Sequence, residues 1–105
     1  MSKDIKEVIA LVDKSIILFD EEHEKFPGVI KQFNLTETGE DKPYRMTALI
    51  SETETGKGKV LNEWHFAITE DDINLLKSKK QVTLTRLVNI PNKQISIDYR
   101  AIIVG

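Results

Sequence analysis

A chain of 105 residues, 40% hydrophobic and 30% charged, has a globular composition and room for one core, so a single domain over 1–105 is expected. The 15 basic and 17 acidic side chains leave a formal charge of −2, and cysteine is absent, which excludes disulfides, thiolate metal sites and cysteine nucleophiles. No apolar run approaches the ~20 residues that cross a bilayer and no signal-like segment follows Met1, so a cytoplasmic protein with no membrane partner is expected.

The first segment reads as an amphipathic helix. Ser2 can cap it, Asp4 lies in its first turn, and Ile5, Val8, Ile9, Val12, Ile16 and Phe19 follow a 3.6-residue period. Lys3, Lys6, Glu7, Asp13 and Lys14 form the opposite face. The run Ile16, Ile17, Leu18, Phe19 is wider than one stripe, but no turn residue separates it from the residues before it, which favours its inclusion in the helix. The acidic run 20–24 and then Pro27 and Gly28 close this unit, which spans 1–26.

Three strand-like runs come next. Val29, Ile30, Phe33 and Leu35 mark the first, over 29–37, and Thr38 to Pro43 provide a turn. Tyr44, Met46, Ala48 and Ile50 then alternate with Arg45, Thr47 and Ser51. After a loop at 56–59, Val60, Trp64, Phe66 and Ile68 share one face, with Leu61, Glu63, His65 and Ala67 opposite.

A second helix is predicted over 70–79. Thr69 is a natural N-cap, Asp72 stands where a capping box needs an acceptor, and Ile68 and Ile73 can form a hydrophobic staple. Glu70, Asp71 and Asp72 suit the positive end of the helix dipole, and Lys77, Lys79 and Lys80 the negative end. A final hairpin turns at Pro91 and Asn92: Val82, Leu84 and Val88 form one alternating face, and Ile95, Ile97, Tyr99, Ala101 and Ile103 the other.

The order, an N-terminal helix and then β-β-β-α-β-β over 29–105, predicts an α+β fold with a small antiparallel five-stranded sheet or an OB-like barrel. Three strands, a helix and two strands resemble the chain order of the OB-fold, which implies a helix plugging one end and loops at 38–43 and 90–93 beside a ligand face. The passage from Leu75, Leu76 and Lys77 into Val82 is similar to the helix-to-strand joint of single-strand-binding OB domains, with Ser78, Lys79 and Lys80 where a glycine is common.

Enzymatic signatures are missing. No G-x-S-x-G elbow occurs, and the loop 54–59 lacks the phosphate-loop spacing. Asp20, His23 and Glu24 could share a helical face with metal-ligand chemistry, but a solvated acidic helix end is the commoner use of such residues. His65 reads as an exposed strand residue. The expectation is therefore a non-enzyme with no catalytic residue, metal or cofactor.

Charge is unevenly distributed. Residues 1–72 hold 9 basic and 16 acidic side chains, a net of −7, while residues 73–105 hold 6 basic side chains and only Asp98, a net of +5. The sharper functional reading is a basic face that tracks the backbone of single-stranded nucleic acid, formed by Lys77, Lys79, Lys80, Arg86, Lys93 and Arg100 with Arg45 and His65 beside them. The same split also balances an acidic N-terminal part within one molecule. Tyr44, Trp64, Phe66 and Tyr99 share parity with aliphatic residues, which assigns them to the core rather than to base stacking. Arg86 shares the parity of Val82, Leu84 and Val88, and so marks a strand end, a bulge or a buried ion pair. The alternative function is a protein–protein interaction or assembly module, of the phage or mobile-element accessory or inhibitor type. Such a module would self-associate as a homodimer where an apolar stripe exceeds what one sheet covers.

Overall fold

A computed structural model describes residues 10–35, 41–54, 56 and 58–104. It is nearly all β: six antiparallel strands close into a barrel, with one short helix among the described residues. The strands are β1 (Ser15–Phe19), β2 (Lys25–Leu35), β3 (Tyr44–Glu54), β4 (Gly58–Ile68), β5 (Val82–Ile90) and β6 (Lys93–Val104), and the helix α1 (Glu70–Lys77) joins β4 to β5. Each strand pairs with its sequence neighbours, and β1 closes the ring on β6.

This overturns the α+β expectation. The helix expected over 1–26 has its first nine residues outside the described ones, and from residue 10 onward the chain forms a turn and then a strand. Asp13 adopts φ +71°, its N–H donates to the Ile30 carbonyl at 2.7 Å, and Lys14 closes the turn onto Leu11 at 3.2 Å. A helix cannot run through a left-handed residue that gives its N–H to another strand. Ile16, Ile17, Leu18 and Phe19 then form a sixth strand, paired from Ile16 to Gly28 on one side and to Ile103 on the other. Their width is that of a strand in a barrel wall: Ile16 and Leu18 are fully buried inside, and Ile17 and Phe19 half-buried outside. The five-stranded sheet and the OB-like barrel fall with this strand. Sequential antiparallel neighbours all round the ring make an up-and-down barrel, not the Greek key of an OB-fold.

The second strand begins four residues earlier than expected. Pro27 and Gly28 lie inside β2, opposite Ile17 and Ile16 of β1. A Cβ on Gly28 would collide with the Ile50 side chain and come within 2.5 Å of the Leu49 carbonyl oxygen, so close strand packing requires glycine there. A bulge between Ile30 and Gln32 shifts the parity of β2, which lets Ile30 and then Phe33 both turn to the core.

The remaining elements follow the alternation. Tyr44, Met46, Ala48, Ile50, Trp64, Phe66, Ile68, Val82, Leu84, Tyr99, Ala101 and Ile103 are all buried in one cluster. The helix adds Ile73 and Leu76 to it. Its capping box is complete: Asp72 N–H donates to Thr69 Oγ1 at 3.1 Å, and Thr69 N–H donates to Asp72 Oδ2 at 2.9 Å. At its other end Lys80 N–H donates to the Leu75 carbonyl and Lys79 N–H to that of Leu76, both at 3.0 Å, with Lys79 at φ +59°. That is a Schellman closure in which lysine occupies the left-handed position that glycine usually takes.

Candidate protein-interaction surface

The barrel wall is uneven. β3 and β4 pair along all eleven residues of each strand, and β5 and β6 from Val82–Ala101 to Ile90–Lys93. Between these two hairpins, β4 meets β5 only through His65–Leu87, Phe66–Arg86 and Ala67–Thr85. Beyond that seam the hairpins part as two arms, consistent with overall extents of 48 × 38 × 22 Å. The seven residues 58–64 of β4 therefore pair with β3 on one side and with no described strand on the other.

The inner wall at the base of this cleft is aromatic. Trp64 lies 5.3 Å from Phe26 and 5.1 Å from Tyr99, ring centre to ring centre, and the Arg86 guanidinium stacks 3.6 Å above the Trp64 ring. Arg86 is thus neither a strand end nor a bulge nor an ion pair: β5 continues through it, and its cation rests on a π face with Nη1 3.4 Å from the Tyr99 hydroxyl. Two buried donors, Trp64 Nε1 and Arg86 Nε, have no acceptor among the described residues. One layer further out, Asn62 Nδ2 donates to Glu52 Oε2 at 2.5 Å.

The outer face of the same arm is apolar. Pro27, Val29, Leu49 and Leu61 line a shallow hollow of about 430 Å³ with Gly28, Lys31 and Ser51. Leu61 is 65% exposed, the highest value of any large apolar side chain described. Lys59 and Glu63 flank it two residues away on the same face, because side chains repeat every second residue along a strand.

The basic residues expected to form one face occupy separate places. Arg45 and His65 lie on the outside of β3 and β4, where His65 Nδ1 is 3.2 Å from Thr47 Oγ1 and Arg45 Nη1 donates to the Lys42 carbonyl at 2.7 Å. Beside them Lys42 Nζ donates to Thr85 Oγ1 at 2.6 Å, and Thr85 donates in turn to Asp98. Lys77, Lys79 and Lys80 are exposed at the end of α1, and Lys93 is exposed at the turn into β6. Arg100 lies against His23 and the Phe19 ring, with Asp20, Glu21 and Asp98 around the same hollow. Arg86 points inward. The trio Asp20, His23 and Glu24 is not on a helix: Asp20 Oδ1 accepts from the backbone N–H groups of Glu22 and Glu24 at 2.9 Å each, and His23 sits at φ +65° in the β1–β2 turn.

No protein-family model, curated protein or solved structure matches this chain. No described helix is long and apolar enough to cross a membrane.

The residue that sequence reasoning passes over is Leu61. Its outward parity is readable from Trp64 and Phe66, and so is its place between Lys59 and Glu63. That its strand has an edge with no described neighbour is not readable, because this depends on where β5 leaves β4.

Proposed function

We propose that the chain is a non-enzymatic protein-binding module that receives a partner strand along the free edge of β4. One observation carries this reading: residues 58–64 have no described strand on one side and hold the most exposed large apolar side chain of the described residues. Proteins usually cover, shorten or charge such an edge, because it templates pairing with another chain. Strand addition satisfies its backbone groups, and side-chain contacts at Leu61 and in the adjoining hollow supply selectivity. The nucleic-acid reading has less support, since the cations it relies on lie apart and several are hydrogen-bonded to their own chain.

Site-specific photocrosslinking tests the proposal. A benzophenone amino acid placed at Leu61 in the native cell should give a discrete protein adduct, whereas the same group at Lys77, on the helix end, should not. With the probe moved to Lys59, a Leu61→Pro change should abolish the adduct by removing a backbone donor from the edge. Equal adducts at positions 61 and 77, or none at 61, would overturn the reading.

A further inference from the structure

We infer that the strand received by β4 is β4 of a second copy, so that the protein forms a two-fold dimer centred on Leu61. This rests on the strand-addition reading and adds the identity of the partner. The argument is one of register. In an antiparallel pair, opposed side chains lie on the same face, so only registers that match outward residues with outward residues keep both barrels facing inward. Among these, one register pairs the whole free stretch with itself. Residue 58 faces 64 of the copy, 60 faces 62, and Leu61 faces Leu61 across the two-fold axis.

The side chains agree with that register and disfavour its neighbours. It places Lys59 opposite Glu63 of the copy twice, once on each side of the axis, and Val60 opposite Asn62. It also sets Gly58 opposite the strand position of the buried Trp64. A shift of two residues one way leaves Leu61 against Glu63 and extends pairing to His65, which is already engaged with Leu87. A shift of two the other way sets Lys59 against Leu61. A shift of four opposes Glu63 to Glu63 or Lys59 to Lys59, and like charges directly opposite destabilise a strand pair. The middle of the free edge, the exposed leucine and the centre of the charge pattern thus fall on one residue. The axis also brings the two Pro27–Val29–Leu49 hollows to either side of the paired leucines, which joins two small apolar patches into one covered surface.

Sedimentation velocity over about 1–200 µM checks this, because dimer formation is set by protein concentration. The wild-type chain should shift from its 12.0 kDa monomer to a species of twice that mass. Lys59→Glu and Glu63→Lys should each raise the dimer dissociation constant roughly tenfold, since each opposes like charges at two symmetric places. Mixing the two single variants should restore a heterodimer, because an all-acidic edge then faces an all-basic one. The double variant K59E/E63K should dimerise within about threefold of wild type. A wild-type chain that stays monomeric throughout, or folded single variants that fail to complement each other, would overturn the dimer. If either reversal unfolds the chain, Lys59→Gln and Glu63→Gln serve instead in a double-mutant cycle, and zero coupling overturns the register. A monomer whose Leu61 probe crosslinks a protein of another mass leaves the strand-addition reading standing and removes only the second copy. No crosslink of any mass removes both.

Discussion

The two ends of this barrel solve the same problem differently. At one end α1, Leu11, Ile68, Val82 and Ile103 are buried together, and the helix termini are closed by a full capping box and a Schellman turn. At the other end β4 and β5 separate, Arg86 and the Glu52–Asn62 pair point inward, and seven residues of backbone lack a second described strand. The first end is finished within one chain. The second has buried donors without described acceptors and an edge without a described neighbour, and that edge is where the proposed partner strand would add.

Mutational cost should follow that division. Leu76, fully buried between helix and barrel, should lose about 2–5 kcal/mol of stability on Leu76→Ala, through lost transfer energy and the cavity left behind. Leu61→Ser should change monomer stability by no more than about 0.5 kcal/mol, because its side chain already stands in water. Urea unfolding at submicromolar protein concentration makes the comparison without a contribution from self-association. A Leu61→Ser loss that rivalled the Leu76→Ala loss would place Leu61 in the core of the single chain and erase the contrast between the ends.

How far the sequence foretells these ends depends on the range of the interactions that make them. The alternation of Tyr44, Met46, Ala48 and Ile50, and of Trp64, Phe66 and Ile68, is a local pattern, and those residues are core as expected. The Thr69–Asp72 box is equally local and forms as expected. The strand at Ile16 to Phe19 reads wrongly as helix because its helical and extended forms differ only through partners 12 and 87 residues away, Gly28 and Ile103. Parity singles out Arg86, but nothing in the sequence says that Trp64 is its support. The basic residues of the last third share a charge sign but are spread over the fold: Lys77, Lys79 and Lys80 lie together at the end of α1, the hairpin carries Lys93 to its own turn, and strand alternation turns Arg86 inward. The β4 edge with no described neighbour is the least readable feature, for a similar reason: it is set by where two hairpins diverge.

The helix caps provide finer tests of the finished end. Thr69→Ala removes the acceptor for the Asp72 N–H and should cost about 1 kcal/mol by thermal or urea unfolding. Dimerisation of the folded chain should be unchanged, because the Thr69–Asp72 box closes within its own turn and touches neither Leu61 nor its charged neighbours. A large change in the dimer constant would couple the two ends and weaken the division drawn between them.

The smallest effect expected is a gain. Lys79 holds φ +59° so that its N–H and that of Lys80 can reach the carbonyls of Leu76 and Leu75. For a residue with a Cβ that conformation costs roughly 1 kcal/mol, whereas glycine adopts it freely. Lys79→Gly also gives the unfolded chain more freedom, which subtracts part of the gain. The balance should be a stabilisation of about 0.5 kcal/mol, with the two closing hydrogen bonds retained. Lysine's charge offers a small opposing term, since a cation at a helix C-terminus is worth about 0.3–1 kcal/mol in exposed positions, and Lys77 and Lys80 still supply that charge after the change. Lys79→Gly should therefore raise the urea midpoint slightly, and Lys79→Ala, which keeps the Cβ and loses the charge, should lower it. If both changes lowered it equally, the charge of Lys79 would outweigh its backbone strain, and the end that looks finished would depend on electrostatics rather than on the closure of its turn.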